Sequence, residues 1–134
     1  MNTIRENENL YTNNDTGLHI NIGTWNDISQ LDIVKLLIFS NETQILYKME
    51  RQNNDYTQSL IRNLVNMLQN QENFKNYNKT IKDINEKLLN TSDHTSFIDF
   101  RKLINYGYIE IRGFGGEDYE YKEEYIIKMI NYIS

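Results

Sequence analysis

The chain has 134 residues, a net charge of −5 and no cysteine. That length supports one modest core, and the lack of cysteine excludes a disulfide framework and a thiolate metal site. The 14 Lys and Arg residues are scattered, which excludes a cationic stripe for nucleic acid. No apolar run approaches the roughly 18 to 20 residues of a membrane span, and Met1 to Leu10 lacks the basic-then-apolar layout of a secretory signal. A soluble cytoplasmic protein is expected, with no nucleic acid and no membrane among its partners.

Asn occurs 20 times, and Ala and Pro are absent, the signature of an AT-rich gene. The Asn residues are spread between apolar positions that keep their period, so this is no low-complexity tract. The Asn-x-Ser/Thr triplets at Asn14, Asn41, Asn78 and Asn90 are read as products of that abundance and not as glycan sites.

Residues 1–15 form a polar arm, in which Glu6 and Glu8 alternate without the apolar partners that would anchor a strand. Residues 16–134 are read as a single domain. Its first strand covers Thr16 to Gly23, with Leu18, Ile20 and Ile22 facing one way and His19 and Asn21 the other. Ser29 to Asp32 has the spacing of a capping box ahead of a helix carrying Ile33, Val34, Leu36, Leu37 and Phe39. Asn41 and Gln44 repeat that arrangement for a second short helix after a kink near Ser40. Arg51 to Tyr56 is a loop. Leu60, Ile61, Leu64, Val65 and Leu68 make the clearest amphipathic helix, and Phe74 to Asn90 a weaker one, placed on the surface.

Phe97, Ile98 and Phe100 predict a strand, and Asn105-Tyr106-Gly107 a hairpin turn into a second strand at Tyr108. The stretch Tyr108-Ile109-Glu110-Ile111-Arg112-Gly113-Phe114-Gly115-Gly116 places Tyr108, Glu110 and Arg112 on one face, Ile109, Ile111 and Gly113 on the other. Glu110 and Arg112 are thus about 6 to 7 Å apart along the strand, aimed at a common cleft. Such a pair is able to hold a metal and an anion side by side. Gly113-x-Gly115-Gly116 is not a dinucleotide fingerprint, because its third glycine is misplaced and no βαβ unit surrounds it. Glu117, Asp118 and Glu120 precede a last helix through Ile126, Met129, Ile130 and Ile133. The fold class is α+β: an antiparallel sheet with helices packed on one face.

A Gly17-Leu18-His19-Ile20-Asn21 strand, then Arg51 and Tyr56 in a loop, then Glu110, Arg112, Gly115, Gly116 and Tyr119 resemble, in that order, the C-terminal half of the phage-type amidoligases. These belong to the carboxylate-amine ligase superfamily that includes glutamine synthetase. The resemblance implies ATP-dependent joining of a small-molecule or peptide carboxylate to an amine through an acyl-phosphate. It also implies Mg²⁺, with His19 and Glu110 as metal ligands, since a carboxylate is a hard oxygen donor and a neutral imidazole completes a site shared with water and phosphate. Arg112 and Arg51 are the catalytic and nucleotide-binding candidates, because a guanidinium holds two phosphoryl oxygens at once. Asn21 is a further cofactor contact, and Asn21 and Tyr108 are second-tier candidates for lining the cleft. A plainer role for Arg51 is a pair with Asp55.

The departures count equally. The family opens with a strand of alternating glutamates tens of residues before its Gly-Leu-His strand, whereas 16 residues precede Gly17 here. The second His of the Gly-Leu-His-x-His version is replaced by Asn21. The expectation is a truncated or split amidoligase completed by a partner chain or by homo-oligomerisation. The alternative is a non-catalytic binding or assembly module that keeps the scaffold, with a viral origin among its readings; an anion-binding viral antagonist ranks last.

Overall fold

The computed structural model describes residues 11–23, 31–69 and 77–133. β1 (Gly17–Gly23) alternates exposed His19 and Asn21 with half-buried Leu18, Ile20 and Ile22. Next come α1 (Ile33–Phe39), α2 (Glu42–Lys48), α3 (Leu60–Gln69) and α4 (Tyr77–Thr91). β2 (Ile98–Asp99), α5 (Arg101–Tyr106) and β3 (Tyr108–Gly115) follow, then a 3-10 turn (Tyr119–Lys122) and α6 (Glu123–Ile133). The sheet is antiparallel with β3 in the middle, flanked by β1 and β2. The class is therefore α+β, with helices packed against a three-stranded sheet. Among the described residues no helix is long and apolar enough to cross a membrane.

The helices begin differently from the sequence reading. Ser29 and Gln30 lie outside the described residues, and it is Asp32 that caps α1, its carboxylate accepting the Lys35 N–H at 3.0 Å. Ser40 closes α1 by donating its hydroxyl to the Leu37 carbonyl at 2.8 Å. Asn41 then turns the chain through a left-handed φ of 59° and spends its amide on the Gln44 side chain, leaving the α2 backbone without a side-chain cap. Glu42 caps α3 instead of its own helix. It is 1% exposed and accepts from the Leu60 N–H at 3.1 Å and from the Ser59 hydroxyl. Burial nevertheless outweighs these bonds and raises its pKa.

The core is continuous from α1 to α6. Leu37, Ile45, Leu60, Ile84, Leu88, Phe97, Phe100, Leu103 and Phe114 are fully buried. α4 lies on the surface with Lys82, Glu86 and Lys87 exposed, and its apolar face joins the core through Ile84 and Leu88. At the end of the chain the acids that sit at the positive end of α6 are Glu123 and Glu124. Glu120 is instead buried and accepts the Thr12 hydroxyl at 2.6 Å.

The expected hairpin is interrupted. Asp99 accepts both the backbone N–H and the guanidinium of Arg101, an Asx-type turn that ends β2 after two residues. The helix α5 fills the gap, buries Leu103, and stops at Gly107, whose φ of 71° suits a left-handed helix end. β2 and β3 still pair, Ile98 with Ile111 and Asp99 with Glu110.

β3 carries the one irregularity that sets its faces. Ile20 pairs with Ile111 and Leu18 with Phe114, so His19 alone stands opposite Arg112 and Gly113. This is a β-bulge. It lets Ile109, Ile111 and Phe114 all be buried, at 3%, 1% and 0% exposure, although strict alternation would turn Phe114 outward. Gly113 is required there because a Cβ would occupy the space of the Phe97 ring. Replacing Gly113 with Ala is expected to destabilise the fold by about 3 kcal/mol through this overlap. Urea unfolding measures it, and a loss under about 0.5 kcal/mol would contradict the packing described.

Candidate functional site

The polar side of the sheet collects polar and charged groups from all three strands. Asn21, Glu110 and Asp99 lie in one row, since Glu110 is directly opposite Asn21 on β1 and Asp99 on β2. The Glu110 carboxylate is the centre of this row. Its Oε1 accepts from Arg112 Nη1 on the same strand and lies 3.6 Å from His19 Nδ1 across the ladder. The side chains of Glu110 and Arg112 are 11% and 15% exposed, while His19 is 44% exposed. A half-sheltered imidazole thus stands over a carboxylate and a guanidinium that are mostly shielded from water.

His19 is held below its ordinary pKa of 6.5 by burial and then by the Arg112 charge, with Arg51 adding to the effect and Glu110 opposing it. At neutral pH it is an uncharged imidazole with a lone pair to give. That is the form that binds a metal or accepts a proton.

Arg51 reaches the same neighbourhood from the loop after α2. It does not pair with Asp55. It is 3% exposed and donates Nη1 to the Thr16 carbonyl at 2.9 Å, with a longer contact of 3.5 Å to Asn14. Gly116 N–H donates to the same Thr16 carbonyl at 2.7 Å. Gly115, at φ 106°, brings this end of β3 close enough that a Cβ would lie 2.5 Å from the Thr16 oxygen. Arg51 therefore ties the turn before β1 to the glycine end of β3. Burial and then the Arg112 charge lower its pKa, while Asp15 raises it. Nε of Arg51 and Nε of Arg112 are both buried without a hydrogen-bond partner. Two guanidiniums that feel each other, each with an idle donor, are an electrostatic arrangement in want of an anion.

Sequence reasoning missed a second charged pair. Asp99 is 1% exposed and takes a forked contact from Arg101, Nε to Oδ1 at 3.0 Å and Nη2 to Oδ2 at 2.8 Å. Burial alone would raise its pKa, but these bonds outweigh burial and hold it below the usual range. The signal was present: Asp99-x-Arg101 repeats the spacing of Glu110-x-Arg112 eleven residues earlier. Tyr108 closes this end of the polar face, stacked on Tyr106 with ring centroids 5.9 Å apart. Tyr56 and Tyr119 touch none of these groups through a hydrogen bond; Tyr56 is exposed in its loop, and Tyr119 packs against the core.

The residues fit an anion more fully than a metal. His19 and Glu110 are two donors from this chain, and among the described residues no group of three His, Asp or Glu side chains converges. Glu6 and Glu8 lie outside the described residues. A Mg²⁺ ion here would take most of its six oxygen ligands from water, phosphate or another chain. A large opening of 1090 Å³ lies elsewhere, lined by Tyr47, Lys48, Glu50, Tyr121, Lys122 and Tyr125 among others. It includes none of the sequence-predicted residues, and the convergence of unlike charged groups around Glu110 identifies the site better than volume does.

The depressed pKa of His19 has a consequence for stability. Its folded value lies below the unfolded 6.5, so its contribution is complete above pH 6.5 and is lost as pH falls through the folded value. Wild-type protein should lose urea resistance as pH falls below 6.5, and His19→Gln should flatten that part of the curve. Parallel curves for the two proteins would contradict a sheltered, neutral His19. Comparison with protein-family models, with curated proteins and with solved structures finds no match to this chain.

Proposed function

We propose that this chain forms one wall of an ATP-dependent carboxylate-amine ligase site of the amidoligase kind, completed by a second polypeptide. The observation that carries the reading is the meeting of His19, Glu110 and Arg112 from two strands far apart in the sequence, with Nδ1 of His19 3.6 Å from Oε1 of Glu110. The order of the motif residues along the chain supports it, as do the idle Nε donors of Arg51 and Arg112.

ATP, when bound with Mg²⁺, supplies the phosphoryl group that activates the substrate carboxylate. This chain's residues have separate tasks. Arg112, now paired with Glu110, would offer its guanidinium to phosphoryl oxygens, placing positive charge where negative charge builds up. Glu110 and neutral His19 would be this chain's oxygen and nitrogen donors toward a cation. Arg51 keeps the glycine end of β3 in place, and its unpartnered Nε would be free to meet an anion. Asn21, beside Glu110 and exposed, is able to donate to or accept from a polar substrate group.

A second reading, a binding or assembly module without turnover, is favoured by one feature. Glu110 is already neutralised by Arg112, a self-sufficient ion pair that needs no cation. The two readings separate by titration calorimetry. The ligase reading expects saturable binding of Mg-ATP, weakened about tenfold or more by Arg112→Gln, a loss of about 1.4 kcal/mol or more. Equal affinities for wild type and Arg112→Gln would refute a nucleotide site on this wall.

A further inference from the structure

Among the described residues nothing pairs with the outer edge of β1, and β3 occupies its inner edge. Gly17, His19, Asn21 and Gly23 are exposed, and Leu18, Ile20 and Ile22 are only partly buried, while their partners Ile109, Ile111 and Phe114 on β3 are at most 3% exposed. Open edges are usually blunted by Lys, Pro, a bulge or an inward charge. β1 has none of these: the extra residue of its bulge lies on β3, and its own sequence Gly-Leu-His-Ile-Asn-Ile-Gly contains no charged side chain other than a His disfavoured in its charged form.

That sequence is also close to a palindrome centred on Ile20. We infer that β1 pairs edge to edge with β1 of a second copy of this chain, antiparallel about Ile20. In this register Ile20 faces Ile20 of the second copy, Leu18 faces Ile22, His19 faces Asn21 and Gly17 faces Gly23. Every pair matches apolar with apolar, polar with polar and glycine with glycine, and no like charges meet. Residues directly opposite share a face, so the half-covered apolar stripe of each copy continues into the other. Roughly six new main-chain hydrogen bonds close the edge, and the two sheets become one of six strands.

The pairing has a consequence for the charged row. Asn21 of the second copy comes to lie beside His19, so each site gains an amide from its neighbour. A basic or acidic strand would put a full charge against His19 and Arg112 or waste the apolar stripe, and the strand that fits best is β1 itself. This inference stands apart from the ligase reading and survives its failure.

The test uses the full chain, which has no cysteine of its own. Light scattering of the wild type is expected to give twice the 16.1 kDa of one chain at about 50 μM, dissociating on dilution as ordinary mass action requires. Ile20→Cys should form a disulfide-linked dimer under mild oxidation, because opposed Cα atoms of antiparallel strands are about 4.5 to 5.5 Å apart, within disulfide reach. Ile22→Cys alone should not, as the two copies of that residue would be separated by about 13 Å. The Leu18→Cys, Ile22→Cys double variant should regain cross-linking and serves if Ile20→Cys does not fold. A wild type that stays monomeric across the concentration range overturns the inference, and so does a dimer in which neither Ile20→Cys nor the double variant cross-links.

Discussion

Everything in the charged row depends on the antiparallel pairing of β1 with β3 and on the bulge within it. Without the extra residue at Arg112-Gly113, the apolar residues of β3 would fall out of phase at Phe114, and either the core or the glycine end would be lost. With it, His19 is set opposite Arg112, close to Glu110, and the core side stays sealed by Ile109, Ile111 and Phe114. Gly113, which lies within the bulge, also admits the Phe97 ring. One backbone irregularity thus serves packing on one side and chemistry on the other, a common use of bulges near sites.

The electrostatics of the row follow from its shelter. A carboxylate and a guanidinium at 11% and 15% exposure attract each other more strongly than a surface pair, yet each has given up water to do so. Glu110 is satisfied by Arg112, but Arg112 and Arg51 each retain a buried N–H with no acceptor. The positive side of the cluster is therefore the unfinished one. This asymmetry is why an anion suits the site more completely than a lone cation, and why nucleotide phosphate and cation are expected to arrive together.

Much of the scaffold is legible in the sequence because it rests on local periodicity. The alternation in Gly17–Gly23 and Tyr108–Gly115, and the apolar stripe of Leu60, Leu64 and Leu68, state their elements directly. The convergence of His19 on Glu110 and Arg112 is not periodic. It was reachable only through the order of motif residues, since strand pairing across some ninety residues leaves no local mark. The features missed are those in which a side chain serves a distant or competing partner. Asp99 ends β2 by binding Arg101, which turns an expected hairpin into β2, α5 and β3. Glu42 caps α3 from α2. Arg51 sits in a polar loop, yet it is buried because two main-chain carbonyls and the glycine end of β3 close over it.

The central claim is that His19, Glu110 and Arg112 form one electrostatic unit. Its most direct test is the pKa of the His19 imidazole, followed by NMR in the wild type, Arg112→Gln and Glu110→Gln. The account predicts a wild-type value below 6.5, a rise when the Arg112 charge is removed, and a further fall when the Glu110 charge is removed. A His19 that titrates alike in all three proteins would show that the groups do not share a site.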